Sequence, residues 1–255
     1  MHKKILLMNF LVVFMLLFVS FSGCVEETDT TDPTVKRIKD AGKLIVGTST
    51  PYEPMEYKDD NDNIVGFDID IAQSIADALG VELEIIDMPF DDLLDAVDYG
   101  TVDISIAALT ITIERSKQVL FSNAYLNAGQ IIIVDSSNDD INKPEDLDNK
   151  TVGVQNGTTS EDEALKYTNE SKVITYDDYT EALTGILAGT IDAIVIDYSA
   201  GVGLIKGYDS LEIVGDPFTD ELYGVAMKKG ESALKSEIDK VIADIDISAL
   251  EEKWF

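Results

Sequence analysis

The chain has one cysteine and one histidine in 255 residues, and Arg37 and Arg115 are its only arginines. A lone Cys24 builds neither a disulfide framework nor a thiolate zinc cluster. A lone His2 leaves no base for a Ser-His-Asp or Cys-His enzyme and no ligand set for a histidine metal centre. Positive charge is scarce: 19 Lys and Arg stand against 49 Asp and Glu, a net charge of -30. Nucleic-acid phosphates would repel such a surface, so no nucleic-acid partner is expected, and a protein lying flat on anionic lipid is disfavoured for the same reason. Apolar residues make up 45% of the chain, enough for one or two globular domains with buried cores.

Residues 1–23 read as an export signal. His2-Lys3-Lys4 is a basic start, and Ile5 to Phe21 is apolar apart from Asn9 and Ser20. The rival is an uncleaved membrane helix, since the run is near the lower limit for spanning. The ending Phe21-Ser22-Gly23-Cys24 resembles a lipobox, which implies cleavage before Cys24 and lipid attached to its sulfur. Either way the remainder is expected outside the cytoplasmic membrane, at the periplasm or cell surface. Residues 24–34, polar and acidic, read as the lipidated cysteine and a flexible tether.

From Lys43 short apolar strands alternate with amphipathic helices. Leu44 to Gly47, Glu82 to Ile86 and Ile104 to Ala107 read as strands, with helices over Asp68 to Leu79 and Phe90 to Val97 between them. Tyr57 to Ile64 reads as a turn rich in Asp and Asn. A second series has strands at Gln130 to Asp135, Thr151 to Val154, Lys172 to Tyr176 and Ala193 to Asp197, with helices at Ser160 to Tyr167 and Tyr179 to Leu187. Strands at Leu211 to Val214 and Gly224 to Met227 and a helix over Ser232 to Ile245 follow. Alternation of this kind predicts α/β layers with a mostly parallel sheet. Gly100-Thr101-Val102-Asp103 and Gly189-Thr190-Ile191-Asp192 each sit between a helix and a strand, which points to two similarly organised lobes.

Val65-Gly66-Phe67-Asp68-Ile69-Asp70, Leu109-Thr110-Ile111-Thr112-Ile113-Glu114-Arg115, Phe121-Ser122, Val152 to Glu161 (VGVQNGTTSE) and Ile191 to Asp197 (IDAIVID) occur in that order. Together they resemble the polar amino-acid-binding branch of the extracellular solute-binding proteins, over Leu44 to Phe255. The resemblance implies a two-lobed periplasmic-binding-protein fold of type II, two doubly wound sheets joined by a two-strand hinge. Lobe 1 would take residues 35–130 plus 224–255 and lobe 2 residues 131–223. It also implies a free amino acid as ligand, an ABC transporter permease as partner, and a monomer. No cofactor and no metal are expected.

A free amino acid is a zwitterion, and enclosing it strips water from both charges at several kcal/mol per ion. An arginine fork for the carboxylate and an Asp for the ammonium are natural replacements. Arg115 is the candidate fork, against an ordinary surface ion pair; Thr112 is expected to cap a helix starting at Ile113. Thr158 and Thr159 offer N–H groups and hydroxyls to the same carboxylate, or cap a helix with Glu161 or Asp162 as capping-box partner. Asp197 ends an apolar strand, where α/β ligands bind, and the resemblance assigns it the amino group; the alternative is a solvated strand end. The resemblance also places Ala108 and Thr110 at the site, Tyr52 and Phe90 on either side of the ligand's side chain, and Ser49, Glu56 and Gln155 in the distal pocket. No Lys or Arg matches that region, which disfavours glutamate or aspartate, and Glu56 and Gln155 can accept from a guanidinium, ammonium or amide, so arginine or lysine is favoured, then glutamine. Competing readings are an enzyme on small carboxylates, as some dehydratases of this fold are, and an extracellular sensor module.

Overall fold

Helix α2 (Phe67–Leu79) buries Phe67, Ile71, Ile75 and Leu79 along one stripe, the spacing that brings side chains four apart onto one face. It closes at Gly80, whose N–H bonds back to Ala76 and Asp77. The computed structural model describes residues 33–255. The expected export segment, Cys24 and all of the tether before Pro33 lie outside the described residues.

In chain order the remaining elements of the first half are α1 (Pro33–Ala41), β1 (Lys43–Thr48), β2 (Tyr57–Lys58), β3 (Ile64–Val65), β4 (Glu82–Asp87), α3 (Leu93–Tyr99), β5 (Ile104–Ser105), α4 (Arg115–Gln118), β6 (Leu120–Phe121) and β7 (Leu126–Asn127). Then come β8 (Gln130–Asp135), β9 (Val152–Gln155), α5 (Thr159–Tyr167), β10 (Val173–Tyr176), α6 (Tyr179–Leu187), β11 (Ala193–Asp197), α7 (Tyr198–Leu204), β12 (Leu211–Val214), β13 (Leu222–Tyr223), β14 (Ala226–Met227), α8 (Ser232–Asp244) and α9 (Ile247–Trp254). Helices α7 and α9 were not among the expected elements; α9 is capped by Asp246, which accepts the Ala249 N–H at 3.1 Å, and packs Ile247, Leu250 and Trp254 against the first core. The expected helix over Phe90 to Val97 is a 3-10 turn at Phe90–Asp92 followed by α3.

Two five-stranded sheets result, β4-β1-β5-β14-β6 and β10-β9-β11-β8-β12. In each, four strands run the same way and one runs antiparallel to its two neighbours, β14 in the first sheet and β8 in the second, so both sheets are mostly parallel as expected. The antiparallel pair β7–β13 lies where the chain leaves the first sheet and returns to it. This is the two-lobed α/β fold that the sequence led us to expect. Strand β8 shows why its sequence is continuously apolar: Ile131 and Ile133 enter one core and Ile132 and Val134 the other, so both faces are covered. Each fully buried large aliphatic of this kind contributes about 1.5–3 kcal/mol.

Gly66 is at φ +142°, and a Cβ there would lie 2.1 Å from the Met55 carbonyl oxygen. Only glycine fits that approach, and it sets the start of α2 where Asp68 can turn inward. At the other end of the chain Trp254 Nε1 donates to Asp70 Oδ2 at 2.8 Å, and the Phe255 ring stacks on Phe67 at 5.4 Å. The terminal segment is thereby fastened to α2.

Candidate functional site

The strand ends of both sheets open on one cleft. Ser49, Tyr52, Glu56, Phe90, Ala108, Thr110 and Arg115 line it from the first lobe, and Gln155, Thr158, Thr159 and Asp197 from the second. All the residues expected at the site therefore share one cleft. Ala107, Ser160 and Tyr179 line it too and were not expected. Tyr179 had no distinguishing signal: it reads as the first apolar residue of α6, while its hydroxyl in fact donates to Val195 O at 3.1 Å beneath the cleft.

Arg115 is the first residue of α4, which starts later than expected. Thr112 Oγ1 still caps the turn by accepting the Arg115 N–H at 3.0 Å. The guanidinium lies 5.3 Å from the Phe90 ring centroid and donates to Thr110 O at 3.0 Å and, across the cleft, to Gly157 O at 3.1 Å. Two neutral carbonyls hold it. Burial lowers its pKa, opposed by the charges of Asp197 and Glu221. Arg37, by contrast, lies in α1 and pairs with Asp103.

Asp197 ends β11 and is 6% exposed. Its Oδ2 accepts from Tyr223 and, at 3.2 Å, from Tyr52 of the facing lobe, while Oδ1 is buried without a partner. Burial raises its pKa to about 7, with the two phenol donors and Arg115 pulling the other way. At the distal end Glu56 is 1% exposed and its Oε2 also lacks a partner. Burial first, then the charges of Asp68 and Asp87, push its pKa well above the usual carboxylate range. Gln155 turns its amide N–H to Asp177 O at 3.0 Å.

Asp68 explains how Ala108 comes to face the cleft. Its Oδ2 accepts the Ala108 N–H at 2.7 Å and the Tyr125 hydroxyl at 2.9 Å, holding Ala108 at φ +48°. That left-handed conformation is costly for alanine and marks a position fixed by its surroundings.

Thr158 occupies the N-cap of α5, but its hydroxyl donates to Gln155 O at 2.8 Å instead of accepting from the helix. Glu161 bonds the Gly157 N–H at 3.0 Å, one residue earlier than a capping box requires. No side chain caps α5, so its first N–H groups face the cavity at the positive end of the helix dipole. The Thr159 hydroxyl, expected to offer itself to a ligand carboxylate, donates to Glu221 at 3.0 Å and accepts from Gln130 at 3.1 Å.

Beside the cavity a wider, more open recess shares Ser49 and Phe90 with it. Asp87, Asp91 and Asp92 line it from one lobe and Asp177 and Asp178 from the other. Asn156 bridges the two lips by donating to Asp91 at 3.0 Å.

Comparison with known proteins agrees with this arrangement. The L-cystine-binding protein TcyJ of Escherichia coli (strain K12) is 33% identical over 227 residues, covering 87% of this chain and 85% of that one. The ABC transporter glutamine-binding protein GlnH of Bacillus subtilis (strain 168) is 34% identical over 231 residues, covering 87% and 84%. The arginine-bound form of truncated ArgBP from T. maritima superposes with a TM-score of 0.79 at 40% identity, covering 82% of this chain and 99% of that one. The profile of the bacterial extracellular solute-binding proteins, family 3, runs from residue 44 to residue 255. With its two sheets, its paired connecting strands and a cleft between them all inside that stretch, the chain belongs to the bacterial extracellular solute-binding proteins, family 3.

Proposed function

We propose that this protein captures one free polar amino acid outside the cytoplasmic membrane and delivers it to an ABC importer, as a binding protein and not an enzyme. The observation that carries the reading is the placement of opposite charges on facing lobes: Arg115 on one, Asp197 on the other, in a single cleft. The ligand's carboxylate takes the Arg115 guanidinium and the uncapped N–H groups of α5. Its ammonium takes Asp197, whose Oδ1 is buried without a donor. Contacts to both lobes form together only when the lobes meet, so ligand binding favours closure.

The side chain would run between Tyr52 and Phe90 toward Glu56. A fully buried carboxylate oxygen with no partner, beside an acidic recess, suits a guanidinium or ammonium, and arginine or lysine is favoured over glutamine. Cys24 would carry the lipid that keeps the protein at the membrane. Titration calorimetry of the purified protein with the twenty amino acids tests the reading. Arginine or lysine is expected to bind most tightly, and Glu56→Gln to weaken that ligand by about 2 kcal/mol while glutamine changes less. Absence of heat with every amino acid would refute the function; a neutral amino acid binding best would refute the role of Glu56 alone.

A further inference from the structure

Glu221 is a buried carboxylate that the proposed binding cycle does not use. It is 4% exposed and immediately precedes β13, one of the two connecting strands. Its backbone is fixed there: the N–H donates to Asn127 Oδ1 at 2.9 Å and the carbonyl accepts the Ala128 N–H at 3.0 Å. The side chain meets hydroxyls instead of a cation. Thr219 donates to one oxygen and Thr159 to the other, each at 3.0 Å. Burying a carboxylate on hydroxyls alone is a poor way to gain stability, and an apolar residue of similar size would do as well or better. Its position calls for another account.

Thr159 supplies it. A hydroxyl has one proton to give, and Thr159 gives it to Glu221; the same oxygen accepts from Gln130 Nε2 at 3.1 Å. Gln130 follows the outgoing connecting strand and Glu221 precedes the returning one. The first residue of α5 is thus held by both strands at the hinge. Its one proton is committed, which leaves its backbone N–H as the donor that can face a ligand's carboxylate.

We infer that Glu221 is a positioning residue: it locks the Thr159 side chain to the hinge and so aims the N-terminus of α5 at the ligand's carboxylate. Through this tie the second lobe and its ligand-facing helix turn as one body about the connecting strands. The inference rests on the proposed amino-acid binding.

The test is calorimetry with free arginine, lysine and glutamine on wild type, Glu221→Ala, Glu221→Gln, Thr159→Val and the Glu221→Ala/Thr159→Val double variant, with thermal midpoints measured alongside. Glu221→Ala is expected to raise Kd about tenfold for the amino acid that wild type binds, leaving the ligand order unchanged. Glu221→Gln keeps one acceptor and is expected to lose about threefold; it also serves if Glu221→Ala does not fold. Coupling through Thr159 predicts that the double variant binds no more weakly than Thr159→Val, an outcome that a general loss of stability would not produce. Folded Glu221→Ala with Kd within about twofold of wild type, or losses that add in the double variant, overturns the inference. Wild type that takes up no amino acid overturns the proposed function and this inference together.

Discussion

In the first lobe the chain leaves α3 through Gly100, and Asp103 turns back to accept the Ile45 N–H at 2.9 Å while its own N–H bonds Ile45 O at 2.8 Å. In the second lobe it leaves α6 through Gly189, and Asp192 accepts the Thr151 N–H and bonds Thr151 O, both at 2.7 Å. Gly-Thr-x-Asp thus performs one task in both lobes, pinning the strand that follows the helix to the start of its neighbour. At the cleft the resemblance ends. The first lobe presents a guanidinium stacked on Phe90; the second presents a carboxylate and an uncapped helix terminus. Similar scaffolds therefore offer opposite charges to one enclosed space, and a zwitterion is what such a pair fits.

The strongest test of that asymmetry is to remove either charge. Arg115→Ala and Asp197→Ala are each expected to cost about 3 kcal/mol in ligand binding, roughly 100-fold in Kd by calorimetry, because the partner charge on the ligand is left buried. Wild-type affinity in either variant would break the comparison. The second test is pH. Arg115 remains charged across the accessible range, whereas Asp197, raised to about 7, is neutral below that pH and can no longer attract an ammonium. Affinity is expected to fall as pH drops from 8 to 6, approaching about tenfold per unit at the acid end. Glu56, also pushed upward, acts in the same direction on a cationic side chain. In Asp197→Asn the loss should shrink to the part that Glu56 contributes. The smallest effect concerns the shared motif. Asp103 is 8% exposed and also holds Arg37, whereas Asp192 is exposed. In urea unfolding Asp103→Ala should cost about 1–2 kcal/mol and Asp192→Ala less.

Much of this was legible in the sequence because the relevant signals are local. The stripe of α2, the full length of α6 (Tyr179–Leu187) and the continuous burial of β8 and β11 depend on side chains within one element. The cleft residues were legible through motif order alone, since nothing in their spacing shows that Tyr52 and Asp197 come within 3.2 Å. What could not be read were contacts between distant segments. Tyr223 looks like an ordinary strand aromatic until its hydroxyl is seen on Asp197. Thr159 has a helix-start sequence, and its hydroxyl is nonetheless drawn away by Glu221, 62 residues on. Competition from a tertiary partner decided these, and a local pattern contains no term for it.

The place of β14 in the first sheet carries a consequence for assembly. It lies between β5 and β6 and pairs with both, so the sheet is divided until residues 226–227 arrive. The second sheet needs only the continuous stretch from β8 to β12. A polypeptide emerging N-terminus first can therefore finish its second lobe while the first still waits for the strand that joins β6 to it, and long-range pairing of this kind is expected to slow folding.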